Sequence, residues 1–516
     1  AGAGVPKGGV LGGDAALGED LARQDHAVDR AGEPAVGDHR DHDLLDLGRR
    51  EAVVQTGPDV DLELVLEVEG GERRDHDEAA VAAREPLENL PSARWEVFAK
   101  ASFAREVVLA PDHPLEVLNV EETGVAVRSF RAGKSGFAAA SGLENDASRR
   151  AVEGALALEA ATAVDPLPLQ RLLGTTEVRA ARSLPPKGWA THTGEELSRA
   201  LASAGHGHLK LRRTILQEGG FAWILNTVDG WVTRHEDTST ALLAEVEVGG
   251  DRIGVWRDWV HISDPATFDV EGVAALVADR ALLTRSRVST DSGLKDLILH
   301  PEVSAQLLAA ISPLFLATTE QEDQLPAILD RQGRLAARAL SLVDDRTDPD
   351  APITGPCDGE GLPAHRTLLL EEGIPRHRLA SFGDAVRCSE APRGGALRLS
   401  YRDYPESGVA NLQVVTGNAV AAGELLGSAE RALYLLRPLA PIDFQPETDT
   451  YRIMASGVWL DGHRVRGWHP VVELRGSIGR LLRRIDAVGN DLRWFQTSRG
   501  FIGAPSLLVR RQPVVG

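Results

Sequence analysis

A proline-rich segment in the second half of the chain sets the strongest limit on how this sequence can fold. An apolar run ends at Val343, and a second apolar stretch, Thr367 to Glu372, is followed by Gly373. Proline fixes φ and has no backbone N–H, so no helix and no central strand can cross the residues between these two runs. The prolines of this interval are Pro349, Pro352, Pro356 and Pro363. We therefore predict a long loop, which is costly to order unless the fold uses it.

The same loop is strongly acidic, and its carboxylates need water, cations or backbone N–H groups as partners. Its acidic residues are Asp344, Asp345, Asp348, Asp350, Asp358 and Glu360. A calcium loop of the EF-hand type does not fit, because neither Asp345 nor Asp348 as first ligand places glycine at the sixth position. The residues alone leave two interpretations open, a solvated surface loop and a loop that takes part in function.

The length and composition of the chain restrict the class of protein. A chain of 516 residues exceeds what one hydrophobic core usually holds, so we predict two or three domains. No run approaches the ~20 consecutive apolar residues of a membrane span, so we expect no membrane segment. The formal net charge of −20 argues against a nucleic-acid ligand, which would need a basic surface. Two cysteines in so long a chain indicate a reducing compartment, and we expect a cytoplasmic protein.

The N-terminal region differs in composition from the rest. Residues 1–90 contain 22 acidic and 9 basic side chains, and the first aromatic residue of the chain is Trp95. A segment without aromatic side chains buries too little apolar surface to offset the entropy that it loses on ordering. We therefore predict that residues 1–76 form a disordered acidic extension. Within it, only Val60–Glu69 has the alternation of an edge strand.

The order of motifs in and around the proline-rich loop resembles the TldD/PmbA family, which comprises peptidase-related proteins also called modulators of DNA gyrase. The loop reads DD-x-T-x-P from Asp344, D-G-E-G-x-P from Asp358 and R-T-x-L-x-x-x-G from Arg366. Further matching stretches are YRDYPESGVANL at 401–412, GVWLDGHRV at 457–465, IDAVGNDLRW at 485–494 and APSLLV at 504–509. The resemblance extends from the region of Trp95 to the C-terminus.

This resemblance implies an α+β fold with two folded domains. Residues 77–290 would form an N-terminal α+β domain, and residues 291–516 a largely antiparallel β domain with covering helices. The residue patterns agree with these elements. Phe268–Leu283 has the spacing of an amphipathic helix, and Leu297–Leu316 indicates a short strand followed by a helix that begins near Pro301.

In the peptidase-competent branch of the family, the helix after this proline carries an H-E-x-x-x-H motif. Its histidines bind zinc and its glutamate acts as general base. Aligned on the LHP sequence at 299–301, the first histidine, the glutamate and the second histidine are replaced by Ala309, Ala310 and Leu314. The family's third ligand, a cysteine, has no counterpart in residues 494–506. We therefore expect no catalytic zinc site and no other cofactor in this chain.

The branch of the family without the zinc motif is the PmbA-like, or TldE-like, branch. The resemblance implies that this chain is the non-catalytic subunit of a cytoplasmic metallopeptidase complex. Its partner would be a TldD-like catalytic subunit that contains the zinc, in a heterodimer, or a second copy in a homodimer. The substrates would be unfolded or modified peptides. The residues leave open whether this chain is itself an enzyme.

Within this interpretation, the loop Asp344–Arg366 is expected to shape a groove or an assembly surface. The candidate residues are Asp344, Asp345, Asp358, Glu360, His365 and Arg366. Two other functions stay open. One is a hydrolase that holds a hard cation through the four carboxylates of this set, since such ions prefer oxygen ligands. The other is a non-enzymatic binding protein that modulates DNA gyrase.

Overall fold

The computed structural model of the chain describes mainly the residues from 79 onward. The described residues are 53–56, 79–84, 86–90, 93–110, 116–162, 167, 185–186, 188–205, 207–229, 232–249, 254–262, 265–289, 292–318, 325, 328–429 and 431–515. Apart from Val53–Thr56, the predicted extension 1–76, with its predicted edge strand Val60–Glu69, lies outside the described residues.

The first half of the chain folds around one antiparallel sheet of long strands. Its strands are β1 (Val53–Thr56), β2 (Arg94–Leu109), β3 (Glu116–Arg131), β4 (Lys134–Ser141), β5 (Ala160–Ala161), β6 (Leu209–Thr227), β7 (Val232–Val248) and β8 (Gly254–Ile262). They are ordered β5-β4-β3-β2-β6-β7-β8, and β1 pairs with β3 beyond the end of β4. The strand β1 thus departs from the disorder predicted for residues 1–76.

Three helices and a short helical stretch accompany this sheet. They are α1 (Asn145–Ala157), α2 (Trp189–Ala204), α3 (Val270–Leu282) and the helical residues 79–84 and 86–88, with a 3₁₀ turn at Pro265–Thr267. The Asp269 side chain caps α3 by accepting a hydrogen bond from the Gly272 N–H at 2.9 Å. The helix predicted at Phe268–Leu283 is therefore confirmed. No helix among the described residues is long and apolar enough to cross a membrane.

The second half of the chain contains a closed barrel. Its strands are β9 (Gly293–Leu299), β16 (Arg431–Pro438), β17 (Asp443–Gln445), β18 (Thr450–Asp461), β19 (Arg464–Ser477), β20 (Ile485–Val488) and β23 (Leu507–Val515). The path β16-β9-β23-β19-β18 closes on itself because β18 also pairs with β16. The pair β9–β16 is parallel, and the other pairs are antiparallel. The helices α4 (Pro301–Ile311) and α7 (Ile478–Leu482) pack beside the barrel.

A second sheet in this half carries the proline-rich loop. It contains β10 (Leu342–Asp345), β11 (Arg366–Glu371), β12 (Ile374–Pro375), β15 (Asn411–Val414), β21 (Arg493–Thr497) and β22 (Gly500–Ala504), in the order β12-β11-β10-β15-β22-β21. A small ribbon pairs β13 (Ala396–Leu397) with β14 (Glu406–Ser407), and two short helices are α5 (Phe382–Arg387) and α6 (Ala422–Gly427). The largely antiparallel sheets with helices confirm the predicted α+β class.

The two halves share a hydrophobic core and a buried ion cluster. Side chains from both halves form one apolar cluster that includes Leu197, Leu216, Val246, Ile298, Ala432, Leu460 and Leu508. In the ion cluster, Arg280 of α3 donates to Asp258 of β8 at 2.6 Å, and Arg493 of β21 donates to the same carboxylate at 3.3 Å. The halves are therefore joined by apolar and by ionic contacts.

An aromatic side chain of the second half is inserted into the N-terminal sheet. Tyr401, in the loop between β13 and β14, is buried against Phe98 and Leu225. Its hydroxyl lies 2.6 Å from the Ser141 Oγ. Gly124 of β3 lies directly beneath the ring, and a Cβ atom at that position would overlap the ring carbons. A glycine in this strand therefore permits the close approach of the two halves.

We predict that Gly124→Ala lowers the free energy of unfolding by about 1–3 kcal/mol, because the new methyl group displaces the Tyr401 ring. Chemical denaturation of the two proteins measures this difference. The control is Gly423→Ala in α6, where a Cβ meets no atom within 4 Å and no loss is expected. An equal effect of both substitutions would contradict the proposed packing.

Candidate functional site

The positions that align with the zinc motif lie at the end of a buried helix. The sequence prediction for this region is confirmed, since β9 ends at Leu299 and Pro301 is the first residue of α4. Ala309 and Leu314 are only 4% and 2% exposed. The helix ends at Ile311, so the last of the aligned positions falls in the 3₁₀ turn Ser312–Phe315.

These residues do not fit a zinc ion. The side chains of Ala309, Ala310 and Leu314 are hydrocarbon and offer no atom that can bind a metal. Across the part of the chain that the structure describes, no group of three or more His, Cys, Asp or Glu side chains is arranged to hold a metal ion.

The proline-rich loop begins where β10 ends and runs from residue 346 to residue 365. Asp344, at the end of β10, accepts hydrogen bonds from the N–H groups of Ala410 and Asn411 at 2.9 and 2.8 Å. Burial raises the pKa of the Asp344 carboxyl above its ordinary value. Asp345 accepts from the N–H and the Oγ1 of Thr347 at 2.9 and 2.6 Å. Both carboxylates therefore accept hydrogen bonds from other groups of the same chain.

Asp358 has a similar role in the middle of the loop. Its Oδ1 accepts from the N–H groups of Glu360 and Leu362, both at 2.9 Å, and its Oδ2 accepts from the Ala396 N–H at 3.1 Å. Burial raises the pKa of the carboxyl, and Arg346 opposes the shift. The first two bonds hold the loop in its turn, and the third connects it to β13. They occupy the oxygens that a hard cation would need.

Glu360 and three other charged residues form a buried cluster between the halves. Arg128 of β3 donates to Glu360 at 2.8 Å and to Glu96 of β2 at 2.9 Å. Arg398, which follows β13, donates to the other oxygen of Glu96 at 3.1 Å. The second oxygen of Glu360 accepts from the Phe382 N–H at 2.6 Å. We call Glu96, Arg128, Glu360 and Arg398 the interdomain charge cluster.

Desolvation governs the electrostatics of the interdomain charge cluster. Burial raises the pKa of Glu360 to about 7, although Arg128 favours its ionised form. Burial lowers the pKa of Arg398 to about 10, against the attraction of Glu96. Burial alone would also lower the pKa of Arg128, but Glu96 and then Glu360 raise it well above its ordinary value. Aromatic rings also contact the cluster: the Arg398 guanidinium carbon lies 4.3 Å from the centroid of the Phe98 ring.

The two remaining candidate residues, His365 and Arg366, are exposed, whereas the cluster is buried. His365 and Arg366 lie on the surface, and Arg366 lies 3.5 Å from the Asp345 carboxylate. Near the cluster, sequence reasoning missed Lys100, which donates to the Leu399 carbonyl and whose pKa is lowered by burial to about 8. Lys100 and Glu96 are four residues apart in one strand and so lie on the same face, which could have indicated from the sequence that they belong together.

The pKa of Glu360 predicts a pH dependence of stability. A carboxyl whose pKa is higher in the folded state binds more protons when folded, so its contribution is fully present below about pH 4.5 and is lost as the pH rises through about 7. In the wild type, the free energy of unfolding should fall between about pH 5 and 8 as Glu360 loses its proton. Because glutamine does not titrate, we expect this fall to be smaller in Glu360→Gln, by up to about 3 kcal/mol. Urea unfolding across this range tests the expectation, with Glu153→Gln as an exposed control. An unchanged pH profile would contradict it.

Sequence comparisons identify relatives of part of the chain. Residues 292–516 match the PmbA/TldA metallopeptidase C-terminal domain. An uncharacterized protein of Methanocaldococcus jannaschii is 25% identical over 192 residues, which are 37% of this chain and 44% of that protein. A metalloprotease of Synechocystis sp. is 27% identical over 195 residues, which are 36% of this chain and 41% of that protein. The matches thus span less than half the length of these curated relatives.

Solved structures resemble nearly the whole fold. TldE from Thermococcus kodakarensis superposes with a TM-score of 0.69 at 15% identity, covering 84% of this chain and 100% of TldE. A candidate modulator of a DNA gyrase from Thermotoga maritima superposes with a TM-score of 0.68 at 16% identity, covering 86% of this chain and 100% of that one. The match of residues 292–516 to the family's C-terminal domain, together with the shared fold, confirms the resemblance to the TldD/PmbA family that the motifs of the proline-rich loop predicted.

Proposed function

We propose that this chain is the non-catalytic, PmbA-like subunit of a metallopeptidase complex that acts on unfolded or modified peptides. The observation that carries the proposal is the burial of Ala309 and Leu314 in the core at positions that hold zinc ligands in the peptidase-competent branch. The zinc and the general base would come from a TldD-like partner, in a cytoplasmic heterodimer. A homodimer is the alternative assembly. The similarity to TldE supports the choice of branch.

The role of this subunit would be to complete the peptide cleft and to stabilise the active partner. The proline-rich loop supports such a role, because its carboxylates hold the loop in one conformation and bind it to the N-terminal sheet. Asp358 is bonded to backbone N–H groups, and Glu360 to Arg128 and to the Phe382 N–H. A rigid loop of this kind presents a fixed surface to a partner or substrate at little further entropic cost.

We expect the purified chain to contain no stoichiometric zinc and no chelator-sensitive peptidase activity, because Ala309, Ala310 and Leu314 supply no ligands. Elemental analysis and a casein-digestion assay measure both properties. Co-expression with a TldD-like chain that retains H-E-x-x-x-H provides the positive control, and activity there should disappear when the motif glutamate of that chain is changed to glutamine. One zinc per copy of the isolated chain, with activity lost on chelation, would overturn the proposal.

A loop substitution separates an assembly role from a chemical one. Changing Asp358→Asn together with Glu360→Gln is expected to weaken association with the partner by about 1–3 kcal/mol, since charge-assisted hydrogen bonds that hold the loop are lost. The turnover number of the assembled complex should stay the same. Sedimentation and steady-state kinetics measure these quantities, with the exposed pair Asp229→Asn and Glu424→Gln as control. Normal assembly with lost turnover would instead indicate that these carboxylates take part in hydrolysis.

A further inference from the structure

Two arginine-rich segments of the second half meet at one surface. The first, residues 328–340, precedes β10 and reads ILDRQGRLAARAL, and the second, residues 476–486, contains α7 and reads GSIGRLLRRID. The Ala337 N–H donates to the Leu482 carbonyl at 3.1 Å. The Arg483 guanidinium donates to the Arg334 carbonyl at 3.4 Å. These bonds place the two arginine-rich segments side by side.

The last strand of the barrel adds one further arginine to this surface. The Arg484 guanidinium donates to the Arg511 carbonyl at 2.5 Å, and the Arg510 N–H donates to the Arg484 carbonyl at 3.0 Å. We call the resulting set the arginine patch. It consists of Arg331, Arg334, Arg338, Arg480, Arg483, Arg484 and Arg511.

The arginine patch brings together several guanidinium groups that form no ion pair with a described carboxylate. Within the described residues, none of its seven guanidinium groups lies within ion-pair distance of a carboxylate, and those that form hydrogen bonds donate to backbone carbonyls. Several arginines elsewhere on the surface have such partners. Arg149 pairs with Glu153 at 3.1 Å, and Arg150 and Arg466 pair with Asp146 and Asp461.

The carboxylates at the border of the patch offset only part of its charge. Asp330 interacts with the charges of Arg334 and Arg483, and Asp296 accepts from the Arg511 N–H at 2.9 Å. Asp330 accepts from the N–H groups of Gln332 and Arg334 at 2.8 and 2.9 Å, which closes the turn at that point. Asp486 pairs with Arg510 at 2.8 Å. The seven guanidinium groups outnumber these carboxylates, so positive charge is concentrated at this surface on a chain whose formal net charge is −20.

We propose that the arginine patch is a docking surface for an acidic polypeptide segment. Guanidinium groups bind carboxylates through two parallel N–H donors, and the five exposed arginines of the patch retain N–H donors for such bonds. They are Arg331, Arg338, Arg480, Arg484 and Arg511. The remaining two, Arg334 and Arg483, hold the loop backbone in place. This inference does not depend on the proposed peptidase complex.

An acidic polypeptide fits this surface better than a nucleic acid. Residues 328–340 and 476–486 contain no aromatic side chain, whereas sites for single-stranded nucleic acids stack bases on aromatic rings. A short run of aspartate and glutamate side chains matches the size and the charge of the patch.

Fluorescence anisotropy with labelled poly-L-glutamate tests the proposal. The test variant is Arg331→Gln/Arg338→Gln/Arg480→Gln, whose three exposed side chains form no hydrogen bond with other described residues, so we expect it to fold normally. The control variant is Arg149→Gln/Arg150→Gln/Arg466→Gln, which removes the same number of charges elsewhere. We expect the test variant to bind about tenfold more weakly than the wild type, and the control variant to bind as the wild type does.

The binding should also weaken as salt is added, because exposed charges are screened. Thermal unfolding confirms that both variants remain folded. The proposal is overturned if poly-L-glutamate does not bind at low salt, or if both variants lose the same affinity. It is also overturned if a labelled single-stranded or double-stranded DNA binds the patch more tightly than poly-L-glutamate, which would make the surface a nucleic-acid site.

Discussion

The relation between the two halves of the chain depends on the interdomain charge cluster. Each of its four charged groups loses its water on folding, at a cost of several kcal/mol per ion. The other members of the cluster, together with the Phe382 N–H and the neighbouring aromatic rings, offset that loss. Only one position of the Glu360 loop and the Arg398 ribbon against the N-terminal sheet therefore pairs every charge of the cluster. Removing one member would cost about 3–5 kcal/mol, whereas an exposed pair such as Arg149 with Glu153 contributes little because water screens it. The cluster thus contributes more to the specificity of the arrangement than to its net stability.

The proline-rich loop is ordered by side chains because its prolines exclude regular secondary structure. Asp344 and Asp358 accept backbone N–H groups that a sheet or helix would otherwise satisfy. Asn411 donates to the Asp345 carbonyl at 2.8 Å and accepts from the Ile353 N–H at 3.0 Å, so it bridges two points of the loop. An acidic composition that resembles a solvated surface in the sequence is therefore mostly buried in the fold.

Local features were predictable from the sequence, and long-range ones were not. Proline positions gave the bounds of the loop, and the first turn of α4 followed from Pro301, because these effects act through neighbouring residues. The partner of Glu360 did not follow, since Arg128 is 232 residues away in the chain. Likewise, Glu96 and Lys100 lie on the polar face of β2, which alternation assigns to solvent. That face is covered by residues of the second half, and periodicity carries no information about what covers a sheet.

The closed barrel has a consequence for the order in which the chain can fold. The strand β9 lies between β16 and β23, so its two partners come more than a hundred residues later in the sequence. Contacts of such large sequence separation require the closure of long loops, which slows folding. The N-terminal sheet joins strands that are mostly close in sequence and can form on the ribosome first. The barrel can close only after residues 507–515 have been synthesised. Until then β9 lacks this partner, and its apolar side chains must be covered by other contacts if the chain is not to aggregate.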